Sequence, residues 1–558
     1  MRLRRADAAL LAVLLLIAAA SGLLWLYSVP FHKGPDEAAH FQIVRFIRAY
    51  GRLPVFAPNE LWLFRTPSGY VETYAAFPPL AYIVAAAVGW LTDDRSMWAA
   101  RYVSLGSYLG TVALTFWTAR RLFPSTRPVA ICSAIIVTFL PQFAFTSGYV
   151  NNDALPTLIA AAMLALLVCA SQGGARPGTL FGAGLMIGAL LITKYTFYGA
   201  AAIGAGVAVL LAARGMSRWR SLSALAAGVI LMSGWWFVRN VQLYGEVIPS
   251  HVIANAKAAA GGNSLFIPID HGLNLLTMST ETSFWELTLK SFVGVFGFMA
   301  VYLDAPYYWT ALVLALLGGI GLALRARRGG ITRSQVLIGL TGAAILGVTL
   351  LLTMVVSLYG EYSPQGRYLF PALIPIALGI AYGWCWLARE VRLARWLPSA
   401  ATLALVGLNL GSLLFFVVPR NYGTGRESVM VQVDRPATGP LSSSDPIEVA
   451  GWSLVEGLPS WRPYTSDVVS RYRHPTSGVS IYVDGPPGVG RFIADAGYGA
   501  NRPDVANFYG GESVLAPIGF RLLVPPGTLK PGRHKLYACT PSPSTKAPSC
   551  NEHDIDVT

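Results

Sequence analysis

Long apolar runs separated by short polar segments occupy the first three quarters of the chain. Many of them approach or exceed the about twenty residues that an α-helix needs to cross a bilayer. The runs cover residues 8–26, 98–122, 129–148, 154–170, 180–192, 197–213, 222–238, 307–324, 336–356, 368–387 and 397–418. The pattern therefore predicts an all-α polytopic membrane domain with about eleven spans.

Arginine clusters in the breaks between these runs predict the orientation of the domain. They follow every second run, around Arg120, Arg176, Arg214, Arg325 and Arg389, and cytoplasmic loops carry an excess of Lys and Arg. We expect a cytoplasmic N-terminus and an extracytoplasmic C-terminus, in the plasma (inner) membrane. The first run has a basic flank and could be a secretory signal, but the membrane protein that follows favours an uncleaved first span.

One apolar segment, residues 77–91, does not fit this count. It has only about 15 residues, fewer than a typical span needs. If it crossed the bilayer, Arg120 and Arg121 would lie outside. We expect a helix that lies in or dips into the outer leaflet. The longest polar segments are then extracytoplasmic, which indicates that the protein acts on the outer face.

The tail has a different pattern, in which short segments of alternating character are separated by Gly and Pro. These segments are residues 429–433, 447–451, 479–483, 519–524 and 534–538. Such alternation is typical of an antiparallel β-sandwich, here of the immunoglobulin-like or jelly-roll kind. We divide the chain into a membrane domain, 1–425, whose outer loop 30–97 carries the candidate motif, and an exported β-sandwich, 426–558. Cys539 and Cys550 can form a disulfide if this tail is exported, and stay reduced if it is cytosolic.

Composition supports the membrane class and removes two others. The chain is 54% hydrophobic and 13% charged, whereas ordinary globular domains are about 25% charged. Its net charge of +14 could indicate nucleic-acid binding, but the arginine clusters lie in loops that orient membrane helices, so nucleic acid is rejected as a partner. The chain has neither a phosphate-binding GxxxxGK[ST] loop nor zinc-type spacing of Cys and His, so nucleotide hydrolysis is not supported.

Candidate chemistry begins where the first run ends. Pro35 suits the first turn of a helix, and Asp36 and Glu37 follow at its positive end, which favours their ionised forms. His40 lies four residues after Asp36 and shares its face. The alternative is a well-capped interfacial helix whose charges are simply solvated.

Basic residues continue this helix and recur at other helix ends on the same side. Arg45, Arg48 and Arg52 form a stripe that would grip lipid phosphates in general or the phosphate of one substrate. The other candidates are Asp153, Lys194, Arg239 and Arg367. Asp153 could instead be only a helix N-cap, and lone cations at helix ends often snorkel. Ionisable groups at a membrane boundary are nevertheless functional candidates.

Several of these motifs resemble the GT-C superfamily of polytopic glycosyltransferases, over about three quarters of the chain. Within this superfamily the chain resembles an uncharacterised bacterial branch. It is also similar to protein mannosyltransferases and aminoarabinose transferases. The motifs are Pro35-Asp36-Glu37 with His40, Pro78-Pro79-Leu80-Ala81-Tyr82, Ala119-Arg120-Arg121-Leu122-Phe123, Leu191-Ile192-Thr193-Lys194-Tyr195, Trp235-Trp236-Phe237-Val238-Arg239-Asn240-Val241-Gln242-Leu243-Tyr244-Gly245 and Ser363-Pro364-Gln365-Gly366-Arg367-Tyr368.

The resemblance implies a specific function. Such enzymes move a sugar from a polyprenyl-phosphate donor to an acceptor outside the membrane, here an envelope glycan, lipid or protein. An acid of the first outer loop is the general base, and Asp36 occupies that position. Asp153 matches a second acid of the next outer loop by place more than by motif, and Glu37 after Asp36 follows a pattern seen in protein mannosyltransferases.

The residue types suit an inverting transfer in a membrane-embedded enzyme. Asp36, with Glu37, would take the acceptor proton, while His40, Arg45 and Asp153 would contact substrate. Three cations would stabilise charge on the leaving phosphate, Lys194, Arg239 and Arg367. No metal is firmly expected; a Mg²⁺ or Mn²⁺ at Asp36, Glu37 and His40 is a weaker alternative, because hard cations prefer more oxygen ligands.

Two other functions are kept as alternatives. A transporter or flippase of lipid-linked saccharides would need ionisable residues deep within several spans, whereas this chain keeps its charges near their ends. A membrane-anchored glycan-binding protein would use aromatic residues of the tail, Trp452, Trp461, Tyr464 and Tyr482, although such residues more often pack in a core or a turn.

Overall fold

The computed structural model divides the chain into two compact units. The first covers Met1–Pro54, Ala76–Ser250 and Ser264–Leu413, and the second Val55–Ala75, His251–Asn263 and Leu414–Thr558. The described residues are 4–29, 34–56, 73–92, 97–215, 217–259, 267–297, 299, 301–360, 362–418, 428–436, 440–456, 473–476, 478–508, 518–541 and 548–558.

The membrane region is helical. Its helices are α1 Arg5–Ser28, α2 Glu37–Tyr50, α3 Leu80–Leu91, α4 Met97–Leu122, α5 Arg127–Phe139, α6 Pro141–Thr146, α7 Ala154–Gly173, α8 Pro177–Leu191, α9 Tyr198–Ala213, α10 Arg218–Tyr244, α11 Ser250–Ala259, α12 Leu275–Glu281, α13 Phe284–Gly294, α14 Ala305–Arg327, α15 Arg333–Tyr359, α16 Leu373–Glu390 and α17 Leu397–Ser412. Strands β1 Val295–Phe296 and β2 Val301–Tyr302 form a short antiparallel pair. Single-turn 3₁₀ segments include Tyr195–Phe197, and a longer one, Gly366–Ala372, leads into α16.

Each predicted apolar run contains a helix. Within the described residues, eight helical segments are long and apolar enough to cross a membrane: Arg5–Ser28, Ala154–Gly173, Tyr195–Ala213, Arg218–Tyr244, Ala305–Arg327, Arg333–Tyr359, Gly366–Glu390 and Arg392–Val417. The protein is therefore a multi-pass membrane protein.

Three predicted spans, in the regions of α4, α5 and α8, are not among these eight. The α5 helix has only 13 residues, because Leu140 is extended ahead of Pro141, where a new helix starts. The α8 helix has 15 residues, and α4 is long enough but carries many Ser, Thr and Tyr residues. Segment 77–91, expected to be a non-spanning helix, contains the 12-residue α3.

The α2 helix differs from the predicted interfacial helix with a basic stripe. Its apolar residues are buried almost all round, including Phe41, Val44 and Ile47. Of the stripe, Arg48 donates a hydrogen bond to the carbonyl of Gly89 in α3, over 3.3 Å. The stripe is therefore partly used for packing α2 against α3.

The tail is β-rich, as predicted. Its strands are β3 Ser428–Arg435, β4 Pro440–Leu441, β5 Ile447–Glu456, β6 Arg473–Pro475, β7 Val479–Val483, β8 Arg491–Ala500, β9 Gly519–Val524, β10 Gly532–Thr540 and β11 Ser549–Val557, with one short helix, α18 Pro503–Phe508. They form a nine-stranded sheet in the order β3-β5-β9-β8-β7-β10-β11-β4, with β6 beside β5. The pairs are antiparallel except β4 with β11.

One core lies inside this sheet. Alternate residues of the strands meet there, among them Val449, Ile481 and Leu536, each fully buried. Cys539 and Cys550 are directly opposite each other in β10 and β11 and form a disulfide. Of the aromatic residues considered for glycan binding, Trp452 packs against a small second cluster and Tyr482 against Phe492. Trp461 and Tyr464 lie outside the described residues.

Candidate active site

The start of α2 brings Asp36 to a partly accessible position. Asp36 directly precedes α2 and has a left-handed backbone, with φ of 56°. Its carbonyl accepts a hydrogen bond from the backbone N–H of His40 over 2.9 Å. Asp is one of the few non-glycine residues that adopt this conformation readily. Its side chain remains 30% exposed.

Gly34 lets the preceding turn pack directly on a tyrosine ring. A Cβ atom at Gly34 would lie 2.3 Å from the ring of Tyr149, which no side chain tolerates. Tyr149 itself is fully buried. The turn that carries Asp36 therefore packs directly against Tyr149, in the segment that precedes α7.

Glu37 has a different environment from its neighbour. Its two carboxylate oxygens accept from Nε and Nη2 of Arg101 over 2.7 and 2.8 Å, and Oε1 also accepts from the N–H of Val150 over 2.9 Å. Both side chains of the ion pair are almost completely buried, at 1% exposed or less. The expectation that Glu37 takes part in proton transfer does not agree with this placement, because its oxygens are already engaged and solvent does not reach them.

Arg101 also holds the end of the first span. Its Nη1 donates to the carbonyls of Leu26 and Val29, over 3.2 and 2.6 Å. These carbonyls belong to the last turn of α1 and its cap, where backbone acceptors lack partners within the helix. One buried guanidinium in α4 thus connects the end of α1, the start of α2 and, through Glu37, the segment before α7.

The second acid, Asp153, is fully buried and surrounded by cations. Lys194 Nζ donates to its Oδ1 over 2.6 Å, and Arg367 Nη1 lies 3.6 Å from its Oδ2. Burial opposes ionisation of Asp153, but the charges of Lys194 and Arg367 outweigh this and hold its pKa below the usual range. Asp153 is therefore a carboxylate that orients two cations.

Arg367 also reaches the first acid. Its Nη2 is 3.9 Å from Oδ2 of Asp36, so the four groups alternate in charge in the order Asp36, Arg367, Asp153, Lys194. We name these four residues the charge cluster. The structure thus brings together four of the residues predicted from the sequence, which come from four separate segments of the chain.

Asn151, rather than Asp153, caps α7. The Oδ1 atom of Asn151 accepts from the N–H groups of Asp153 and Ala154, over 2.8 and 2.9 Å. The side chain of Asp153 makes no capping hydrogen bond. The alternative that Asp153 serves as an N-cap is therefore wrong for its carboxylate, which remains directed to Lys194 and Arg367.

Arg367 is placed by a close approach between its own segment and α13. The N–H of Gly366 donates to Oγ of Ser291 over 2.7 Å, and a Cβ atom at Gly366 would lie 2.1 Å from the backbone nitrogen of Phe292. Nε of Arg367 donates to Oε1 of Gln365 over 2.6 Å. Its orientation toward the two acids is fixed by these contacts.

His40 borders the charge cluster and is buried, 2% exposed. Its Nδ1 lies 2.9 Å from the hydroxyl of Tyr82, with the two rings stacked. Burial lowers the pKa of His40 to about 4, so the imidazole is neutral at neutral pH. Sequence reasoning did not assign roles to Tyr82 or Arg101, although a lone arginine inside an apolar run was a signal for the latter.

Two predicted contacts do not join the cluster. Arg45 is exposed, and Arg239 donates to the carbonyl of Pro54 over 2.7 Å while stacking on Trp236. In the described part of the chain, no ion pair connects either residue to Asp36, Glu37 or Asp153. Their expected contact with substrate stays a prediction.

The residues considered for a divalent cation do not fit one. Glu37 is occupied by Arg101 and by the Val150 N–H, and Nδ1 of His40 by Tyr82. Across the described ranges, no three acidic, His or Cys side chains converge in a way that would hold a metal ion. We therefore assign no metal-dependent step to these side chains.

No curated protein matches the chain in sequence. ArnT from Cupriavidus metallidurans, bound to undecaprenyl phosphate, is similar in structure, with 16% identity, a TM-score of 0.40 and 73% of each chain covered. The oligosaccharyltransferase of Archaeoglobus fulgidus, in complex with Zn and sulfate, has 15% identity and a TM-score of 0.44, over 72% of this chain and 53% of that one.

A further similar structure is AglB from Archaeoglobus fulgidus with an inhibitory peptide and a dolichol-phosphate. It is 15% identical, with a TM-score of 0.41, over 74% of this chain and 56% of that one. These solved proteins belong to the GT-C superfamily, the group that the sequence motifs resemble. A family model described as "Predicted membrane protein (DUF2142)" matches residues 57–376. Because that match covers more than half of the chain, the protein belongs to the DUF2142 family of predicted membrane proteins.

Proposed function

We propose that this protein is an integral-membrane glycosyltransferase with Asp36 as general base. It transfers a sugar from a polyprenyl-phosphate donor to a hydroxyl-bearing acceptor of the cell envelope. The charge cluster and the β-rich tail lie on the extracytoplasmic side. The donor class comes from the resemblance of the sequence motifs, and the roles of the residues come from the geometry of the charge cluster.

One observation carries the proposal: Arg367 lies between two carboxylates of which only one is accessible. Asp36 is 30% exposed, whereas Asp153 is 1% exposed and Glu37 is fully buried. A general base must come within hydrogen-bonding distance of the proton that it removes. Among these three acids, Asp36 has by far the most accessible side chain, so it is the one that an acceptor can reach.

The bond changes balance within this arrangement. The acceptor oxygen attacks the anomeric carbon, its proton passes to Asp36, and the bond between that carbon and the phosphate oxygen breaks with its electron pair remaining on the phosphate. Direct displacement inverts the anomeric carbon.

The two cations suit the leaving group. Lys194 and Arg367 are 12% and 11% exposed, so water screens them poorly and their attraction for a phosphate is correspondingly strong. Cations that are fixed in advance stabilise the charge that develops on the leaving group. Asp153 holds both of them in place and balances part of their charge before the donor binds.

The test is the variant Asp36→Asn, purified and reconstituted with synthetic polyprenyl-phosphate sugars. Because general-base catalysis contributes roughly 10²- to 10⁴-fold, we expect release of polyprenyl phosphate to fall by about 10²-fold or more while donor binding persists. The control is Glu286→Gln, since this carboxylate is 59% exposed and pairs with Lys290 outside the cluster; its activity should match wild type.

Two results would oppose the proposal. Near-wild-type transfer by Asp36→Asn would remove Asp36 from the role of base. Movement of the lipid-linked sugar across the vesicle membrane by the wild-type protein, with no glycosidic bond formed, would support a flippase instead.

A further inference from the structure

The hydroxyl of Tyr149 is buried near the charge cluster without a hydrogen-bond partner. The residue is fully buried, and within the described part of the chain its hydroxyl oxygen neither donates nor accepts a hydrogen bond. A buried polar group without a partner is destabilising, and the ring of a phenylalanine would fill the same space without that cost. The hydroxyl therefore needs an explanation other than packing.

The position of the Tyr149 ring is fixed by its surroundings. Gly34 packs so closely on the ring that it leaves no room for a side chain, and the ring of Phe145 lies with its centroid 4.8 Å away. The carbonyl of Tyr149 accepts from Nδ2 of Asn151 over 2.7 Å. The next N–H along the chain donates to Oε1 of Glu37 over 2.9 Å. These contacts hold the hydroxyl in one place without using it.

The hydroxyl keeps its hydrogen and has nothing to donate it to. Burial raises the pKa of Tyr149, and the charge of Arg367 acts in the opposite direction without outweighing burial. Arg367 is thus near enough for its charge to act on the hydroxyl, but a guanidinium only donates hydrogen bonds. Asp36 and Asp153 also act on the hydroxyl through their charges, yet neither carboxylate accepts from it.

An acceptor is therefore what this part of the site lacks. Arg367 and Tyr149 both present hydrogen-bond donors, and the oxygens of an ionised phosphate are strong acceptors that pair well with arginine. The cluster is open to solvent at Asp36, whose side chain is 30% exposed, and Arg367 beside it is 11% exposed. Contacts in an empty active site are often incomplete and tighten in the complex, so a hydroxyl that is covered in the free protein can still meet a ligand.

We propose that Tyr149 is a further substrate-binding residue, whose hydroxyl donates a hydrogen bond to a phosphate oxygen of the polyprenyl-phosphate ligand beside Arg367. This deepens the proposed function and rests on it for the identity of the ligand. The free protein carries an unpaired hydrogen-bond donor, and the complex gives that donor its acceptor. Removing the hydroxyl should then weaken binding without weakening the fold, which a purely structural tyrosine would not do.

The first experiment measures the stability of the ligand-free, full-length protein by thermal unfolding in a phosphate-free detergent and buffer. The control is Tyr108→Phe, because Tyr108 is also fully buried but donates to the carbonyl of Thr138 over 2.7 Å, in the last turn of α5, where carbonyls lack partners within the helix. We expect Tyr108→Phe to lower the unfolding temperature, and Tyr149→Phe to leave it unchanged or raise it. A lower unfolding temperature for Tyr149→Phe would overturn the proposal.

The second experiment measures binding of two probes that differ only in the phosphate, polyprenyl phosphate and polyprenol, in the same detergent. Because one hydrogen bond to a charged group is lost, we expect the Kd of Tyr149→Phe for polyprenyl phosphate to be about tenfold higher than that of the wild type. The Kd for polyprenol should be the same for both proteins. Equal Kd values for polyprenyl phosphate, or an equal loss for polyprenol, would contradict the contact with phosphate.

A phospholipid is the other source of a phosphate at a membrane surface. Phosphatidylglycerol added to the wild-type protein should not displace bound polyprenyl phosphate. Displacement at comparable concentration would overturn the assignment of this contact to the polyprenyl ligand.

These measurements separate the contact from the proposed function, because none of them requires sugar transfer. If binding of polyprenyl phosphate depends on Tyr149 but the wild-type protein transfers no sugar, the proposed function fails and the phosphate contact holds. If transfer depends on Asp36 but Tyr149→Phe binds polyprenyl phosphate as the wild type does, the proposed function stands and the contact is lost.

Discussion

Arg367 connects Asp36 and Asp153, with Nη2 3.9 Å from the first carboxylate and Nη1 3.6 Å from the second. A planar guanidinium can interact with two acids at once through different nitrogens, whereas the ammonium of lysine is a single point of charge. Neither distance is that of a hydrogen bond, so the attraction of the two carboxylates and the hydrogen bond from Nε to Gln365 together hold the guanidinium between the acids.

The variant Arg367→Lys tests this forked geometry. We expect kcat/KM for a polyprenyl-phosphate sugar to fall by about 10- to 100-fold, because one charge-assisted contact is worth about 1.5–3 kcal/mol. The matched control is Arg389→Lys, an exposed arginine at the other end of the same span, where no change is expected. A lysine variant with full activity would show that only the charge of Arg367 matters.

Glu37→Gln tests whether Glu37 holds the site or reacts in it. Removing one partner of a buried ion pair leaves Arg101 uncompensated, and we expect a loss of about 3–5 kcal/mol in the free energy of unfolding. Thermal unfolding in detergent measures it. The variant Glu286→Gln, which breaks a solvent-exposed pair, should change stability by at most about 1 kcal/mol.

The double variant Glu37→Gln/Arg101→Met completes this test. It removes both charges from the interior, so part of the lost stability should return. If Glu37→Gln unfolds at the wild-type temperature and yet loses transfer, Glu37 is catalytic and the holding role described above is wrong.

His534 predicts a pH dependence for the β-rich unit. Its Nδ1 lies 2.8 Å from Oδ2 of Asp484, and its Nε2 lies 2.8 Å from the carbonyl of Lys530. Both partners are acceptors, so they favour the imidazolium, in which both ring nitrogens donate. The hydrogen bond to Asp484 is the largest cause of the raised pKa of His534.

The sign of the effect follows from that direction. A group whose pKa is higher when folded stabilises the protein fully below its ordinary value of 6.5, and this contribution is lost as the pH rises through the folded value. Chemical unfolding of the full-length protein, followed by tryptophan fluorescence at several pH values, should show stability falling as the pH rises from 6.5 through the folded pKa of His534, and His534→Gln should lack this decline. Identical pH profiles for the two proteins would contradict it.

The helices of the membrane unit could be predicted because each apolar run is long enough to define a helix on its own. Counting spans predicted that Asp36, Asp153, Lys194 and Arg367 lie on one side of the membrane, and it predicted the same for Arg239. That the first four are in contact whereas Arg239 is not depends on how the helices pack.

What could not be predicted depends on contacts between distant residues. The pairing of Glu37 with Arg101 joins positions 64 residues apart, and nothing near Glu37 distinguishes a buried ion pair from an exposed acid. For the same reason the sequence did not predict that Arg48 contacts the carbonyl of Gly89 in α3, whereas Arg45 and Arg52 of the same stripe are exposed as expected. The orientation of Arg239 toward Pro54 likewise depends on where another segment passes.

Asn151 caps α7 and Asp153 pairs with cations, so the two roles can vary independently in sequence. The side-chain amide of Asn151 accepts hydrogen bonds from backbone N–H groups at the start of α7. The carboxylate of Asp153 is therefore available to balance the two cations. Strengthening or weakening that helix start therefore need not alter the charge beside it. Replacing Asp153 by Asn should keep the start of the helix intact while removing the buried acid that balances Lys194 and Arg367.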